Sequence, residues 1–344
     1  MSQDWELYRK LYRATDSPVW GAFPHPDLTT LAGELNTTRS TIWRRLKEWR
    51  RSGFVRGYET IPNPGLFGVG LLTNEVRLAD PRSRQRFLDE LELIDGVFLA
   101  NFDLGPRTMV VSVADMSTSQ ARRRELIRRI PGVESVLPPN PVWLPTCRRQ
   151  LSIGDWRLIS ALRESPESSV VDLAGFLGVS AKTFSRRYRA LRESHALLSY
   201  RVEDFTRFPG TVATFLARLH DGVDSRETAV RFEESMPGLL EIAHIDRPPF
   251  SSHNVLAYSL FVSSAASMEE AEAAALEVPG VVGVRTIFMG GERAYRGWFD
   301  ERINQAMHGP LPRAEAHPVA PSRWIAMRPA AFSRQSAARG VHPA

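Results

Sequence analysis

Two short stretches hold the residues whose types and spacing could do chemistry. Thr38, Arg39, Ser40, Trp43, Arg44, Lys47 and Arg51 lie along one, and Ser180, Lys182, Ser185, Arg186 and Arg189 along the other. Cations spaced along a helix bond phosphate oxygens, and side chains near its start reach base edges. The expected chemistry is therefore recognition of double-stranded DNA, not bond-making. The common bond-making templates fail: there is no P-loop, HExxH, GxSxG or Rossmann glycine run. No His/Asp/Glu spacing supports a metal site. Cys147 is the only cysteine, so an internal disulfide or thiolate cluster is excluded. The expectation is a protein that is not an enzyme and carries no cofactor.

The elements that must position these residues repeat. Leu31–Tyr58, LAGELNTTRSTIWRRLKEWRRSGFVRGY, aligns without a gap on Leu173–Tyr200, LAGFLGVSAKTFSRRYRALRESHALLSY. An internal repeat is read before anything else. Each copy reads as a short helix, a tight turn and a longer basic helix, the helix-turn-helix pattern. In the first copy Asn36-Thr37 makes the turn and Thr38 caps the second helix. Ile42, Leu46 and Trp49 face inward at helical spacing. Gly53 ends the helix in the left-handed conformation. Arg45, three residues after Ile42, is placed to pack back onto the domain. In the second copy Ser180 takes the cap and Phe184, Tyr188 and Leu191 the core register. His195 replaces Gly53, which predicts an altered or slightly strained helix end. Phe54–Thr60 reads as a wing strand.

Each copy is followed by a run of alternating strands and amphipathic helices. In the first, strands fall at Val69–Leu78, Gly96–Leu104, Thr108–Ala114 and Gly132–Leu137, with helices over Arg82–Ile94 and Ala121–Ile130. The order β-α-β-β-α-β predicts a ferredoxin-like unit with both helices on one sheet face. The second unit repeats the order from Val212 to Phe288, with Arg247–His253 lengthening its middle hairpin and Gly290-Gly291 breaking its last strand. The uncovered sheet faces argue for association. The run Arg122, Arg123, Arg124, Arg128 and Arg129 reads first as a solvated helix face, with a second phosphate-contacting surface as the alternative.

The fold class is thus α+β: two winged helix-turn-helix domains alternating with two ferredoxin-like domains. The expected domains are 1–62, 63–150, 151–206 and 207–304, with a flexible Pro/Ala/Arg tail at 305–344. A net charge of +5 agrees with a nucleic-acid partner, and a hydrophobic content of 43% supports real cores. No apolar run is long enough to span a bilayer, and the N-terminus is not a secretory signal. A soluble, cytoplasmic protein is expected.

With LAGFLGVSAKTFSRRYRALRES, the strand-leading PNPGLFG and the two PGV starts to a last strand, the chain resembles the Lrp/AsnC family of transcription regulators. The match covers roughly residues 1 to 300 as two tandem copies. The resemblance implies DNA binding by a fused dimer with its sheets face to face, a small-molecule effector at the sensor domains, and homo-oligomers. An alternative goes with it. Some proteins of this layout decarboxylate siroheme-type tetrapyrroles, using histidine and arginine side chains near the substrate's acidic groups. His220, His244, Arg247 and His253 are the residues that this alternative would use.

Overall fold

The computed structural model describes residues 3–13, 28–114, 119–142, 144–147, 149–166, 168–236, 239–245, 254–262 and 264–309. It opens with three helices, α1 (Gln3–Arg13), α2 (Leu28–Glu34) and α3 (Arg39–Ser52). Thr38 caps α3 as expected, its Oγ1 accepting from the Thr41 amide at 3.2 Å. Gly53 closes the helix at φ +82°. Then follow β1 (Val55–Pro62), β2 (Gly70–Leu78), α4 (Arg84–Leu91), β3 (Val97–Asp103), β4 (Arg107–Ala114), α5 (Ser119–Arg129), β5 (Val133–Val136) and β6 (Asn140–Val142).

The second half runs α6 (Ile153–Glu164), α7 (Val170–Phe176), α8 (Ala181–Glu193), β7 (Leu197–Glu203), β8 (Thr211–Leu219) and α9 (Ser225–Ser235). It ends with β9 (Leu239–Ile245), β10 (Asn254–Val262), α10 (Ala265–Glu277), β11 (Val281–Ala294) and α11 (Gly297–His308). Ser180 caps α8 through its Oγ and the Thr183 amide, 3.1 Å apart. His195 sits at φ +54°, so the left-handed helix end is kept without glycine. The sequence reading did not foresee α11.

Among the described residues the main sheet is antiparallel and nine-stranded, in the order β5-β2-β4-β3-β11-β8-β10-β9, with β6 beside β2. Each half contributes the same pattern: its fourth strand lies at one edge, then its first, third and second. Face-to-face sheets were expected, but the two are joined edge to edge. The joint is β11. Its first part pairs with β8 and its last part, from Met289, with β3. Gly290-Gly291 therefore does not end the strand. It lets β11 cross, since a Cβ on Gly290 would lie 2.9 Å from the Asp103 carbonyl oxygen.

The expected wing strand is also exchanged between halves. β1 pairs antiparallel with β7, from Val55 opposite Glu203 to Pro62 opposite Leu197. This ribbon and α11 cover one face of the first half's strands, burying Ile61, Phe98, Leu198, Tyr200 and Phe299. On the other face α4 and α5 bury Phe87, Leu88, Leu91 and Ile127. The cores of the helical units are closed across the halves. Tyr8, Ile42, Trp49 and Phe54 pack with Phe205, Phe208 and Val212, while Trp156, Phe184 and Leu191 pack with Leu66, Phe67 and Ile303. No helix among the described residues is long and apolar enough to cross a membrane.

Candidate functional site

All twelve side chains picked out along α3 and α8 are exposed. Their helices are held from below by buried Ile42 and Trp49 in α3 and Phe184 and Leu191 in α8. Trp43 is 52% exposed and carries the Lys47 ammonium 5.2 Å from its ring centroid. Thr38 and Ser180 are occupied as caps, and the arginines and lysines supply the outward positive charge. Arg45 does turn back, its Nη1 lying 2.7 Å from Asp4 Oδ1.

The arginine run of α5 is not simply solvated. Arg123 is 6% exposed. Its Nε donates to the Asp95 carbonyl and its Nη1 to the Val113 carbonyl, both at 2.7 Å. Arg128 and Arg129 face Glu125. The correction has a plain cause: a guanidinium with five donors can be buried where a helix end and a strand end leave carbonyls to satisfy.

A cleft of 590 Å³ lies between the β1–β7 ribbon, α4 and the crossing part of β11. Arg50, Arg56, Arg293 and Arg296 reach it, with Leu88 and Phe102 as apolar wall. Arg56 meets Asp204 at 3.0 Å, and Arg296 meets Glu59 at 2.7 Å. Burial is the largest influence and works against the Arg296 charge, but the bond to Glu59 together with the charges of Glu59 and Asp300 and the Tyr200 phenol outweighs it and the pKa is raised. Arg293 reaches Glu92 at 3.1 Å and also bonds Asp89. Behind the cleft the Arg84 guanidinium carbon stands 5.1 Å from the Phe102 ring centroid. Burial pushes the neighbouring Asp103 carboxyl up, opposed by the Arg107 amide and by Arg84. Sequence reading missed this cleft because its arginines are isolated in the chain, and only the pairing of β1 with β7 and β11 with β3 gathers them.

The histidines lie at the far end of the main sheet. His244 is the sixth residue of β9 and pairs in register with Leu256 of β10. His220 directly follows β8, whose Leu219 is opposite Asn254, the first residue of β10. The strand register thus brings both to the end where β9 and β10 are connected. The His220 ring nitrogen Nδ1 lies 3.0 Å from the Asp221 carbonyl oxygen, a local turn contact. Arg247 and His253 fall outside the described residues. No group of three or more His, Cys, Asp or Glu is placed to hold a metal among the described residues.

No known family model matches the chain, and no curated protein matches it in sequence. Among solved structures, the siroheme decarboxylase NirDL is similar over 88% of this chain and 99% of its own, with a TM-score of 0.51 at 13% identity. NirDL in co-complex with an iron-uroporphyrin III analogue gives 0.49 at 11% identity, covering 89% and 98%. E. coli AsnC covers 41% of this chain and 92% of its own, with a TM-score of 0.32 at 14% identity. The first likeness shows a shared α+β fold along nearly the whole chain. It also corrects the expectation of a non-enzyme: the fold that spans both halves here is the fold of an enzyme.

Proposed function

We propose that the chain is a decarboxylase acting on a carboxylated tetrapyrrole of the siroheme type, built from two tandem copies of a winged helix-turn-helix followed by a ferredoxin-like domain. The observation that carries this reading is the whole-length likeness to NirDL, which takes in both halves together. The chemistry needs little apparatus. The bond between a carboxylate carbon and its methylene breaks, CO₂ leaves, and the electron pair left on the methylene carbon takes a proton to give a methyl group. No oxidant is consumed. The protein has to hold the remaining carboxylates and deliver one proton. Arginine forks suit the first task, and a histidine, titrating near neutrality, suits the second.

His244 is the proposed proton donor, with Arg247 and His253 on the adjoining connection as partners for substrate carboxylates. The supporting observation for His244 is the strand register, which sets it one pair in from the end of the β9–β10 ladder; Arg247 and His253 are proposed from their closeness in sequence. The wild-type chain, incubated with siroheme, should release CO₂ and yield products lighter by whole CO₂ units. His244→Ala should lower turnover by roughly 10²–10⁴-fold while substrate still binds. A wild-type chain that binds siroheme without any mass loss would sink the assignment.

A second reading stands beside the first because α3 and α8 leave their basic faces open to solvent. These faces suit the backbone of duplex DNA. The triple reversal Arg39→Glu, Arg44→Glu and Arg186→Glu should abolish the mobility shift of a genomic fragment, and wild-type binding should weaken steeply with salt. Equal affinity of the reversed protein would discard this role and leave the enzymatic one untouched.

A further inference from the structure

The two halves place different residues at one position of the same pattern. β3 and β9 each hold the second-strand position in their half's order. Both run for seven residues. The sixth residue is Phe102 in β3 and His244 in β9. The connection that follows is residues 104–106 in the first half and 246–253 in the second. The first half therefore has no imidazole at this position, and its connection is only three residues long. What it has is a cleft over Phe102, faced by four arginines.

We propose that this cleft is a second, non-reacting site for a planar aromatic polycarboxylate. The assignment of ligand class rests on the decarboxylase reading above, since it takes equivalent positions in the two halves to receive the same kind of molecule. The cleft's own properties fit that class. Its volume of 590 Å³ lies within the ~300–1,000 Å³ typical of small-molecule sites. Leu88 and the Phe102 ring offer an apolar and stacking wall for a flat ligand body. Arg84, 5.1 Å from the Phe102 ring centroid, fixes that ring from the first half's own helix.

The arginines are already near carboxylates, which sets the kind of ligand they can take. Each guanidinium has five N–H donors. Arg56 meets Asp204 through Nη2, and Arg296 meets Glu59 through Nε and Nη2. The Asp89 and Glu92 side chains beside Arg293 are 55% and 63% exposed, so solvent screens them. A single carboxylate would gain little against these partners. A ligand that presents several carboxylates at once can meet Arg56, Arg293 and Arg296 together. It would then span β1 of the first half and β11 of the second.

The test is a calorimetric titration of the full chain with iron-free uroporphyrin III, alongside a turnover assay with siroheme. The expected result is two equivalents bound per chain. Arg56→Gln/Arg293→Gln should leave one equivalent, with turnover unchanged within about twofold, and His244→Ala should lose turnover but keep the cleft equivalent. One equivalent in the wild type, insensitive to Arg56 and Arg293 but accompanied by turnover, overturns the cleft proposal alone. Binding that depends on the two arginines without any turnover supports the cleft as a polycarboxylate site and removes the decarboxylase reading. Absence of both binding and turnover overturns both.

Discussion

Gly53 and His195 occupy the same place after α3 and α8, and both have positive φ, +82° and +54°. A residue with a Cβ in that region costs roughly 1–2 kcal/mol. The chain tolerates the histidine because its backbone is used: the His195 carbonyl accepts from Asn63 Nδ2 at 2.9 Å, and the amide bonds the Arg192 carbonyl at 2.9 Å. Both bonds use the His195 main chain and survive replacement of its side chain. His195→Gly should therefore stabilise the protein by about 1 kcal/mol in urea unfolding. A loss of stability would mean that the imidazole makes a contact worth more than the strain. The sequence showed this position correctly, because a turn's φ requirement is local. The fate of Arg123 was not legible, because nothing local distinguishes a buried guanidinium from the exposed ones beside it.

At the scale of elements, the joint that matters is the one around α6. Arg163 is 3% exposed and joins α6 to two other segments, β1 and α11. Its Nε donates to Asp300 Oδ1 of α11 at 2.6 Å, its Nη1 to the Thr60 carbonyl of β1 at 2.7 Å, and Glu59 lies at 3.9 Å. Asp300 is half exposed and Glu59 keeps Arg296, so truncation leaves chiefly the buried Thr60 carbonyl unpaired, a loss of about 1–3 kcal/mol. Arg163→Ala should show that loss in denaturant melts, and Arg163→Met, which restores volume without a donor, should recover little while the Thr60 carbonyl stays unpaired. A cost below about 1 kcal/mol would mean that water replaces the guanidinium and that α11 is held by its apolar face alone. Helices α3 and α8, their caps and their inward residues were readable beforehand, since 3.6-residue spacing is written in the chain. α11 was not, because its buried Trp298, Phe299 and Ile303 are meaningful only against β3 and α6.

For the whole molecule, the halves are interlocked rather than strung in series. Tyr8 of α1 donates to Glu203 Oε2 at 2.5 Å, at β7's last pairing with β1. Its ring sits 5.5 Å from that of Phe208 and 6.3 Å from that of Phe205. Separated fragments 1–150 and 151–344 would each expose half of these cores and one edge of the β1–β7 ribbon. Unpaired strand edges and apolar faces drive association. Each fragment alone should self-associate or aggregate in size-exclusion chromatography, and the mixed pair should elute near the size of the intact chain. Two monomeric fragments, each with a cooperative melt, would show that the exchanged contacts are dispensable.

Sequence alone established the repeat, the two capped basic helices and the β-α-β-β-α-β order, because capping, helical spacing and strand alternation are short-range properties of the chain. It placed both sets of basic residues on helix faces, and their exposure followed. Only the tertiary structure decided how the halves meet. That β11 crosses to β3, that β1 pairs with β7, and that four scattered arginines face one cleft are long-range pairings. They depend on which sheet edges remain available once both halves have folded, and no spacing along the chain records that.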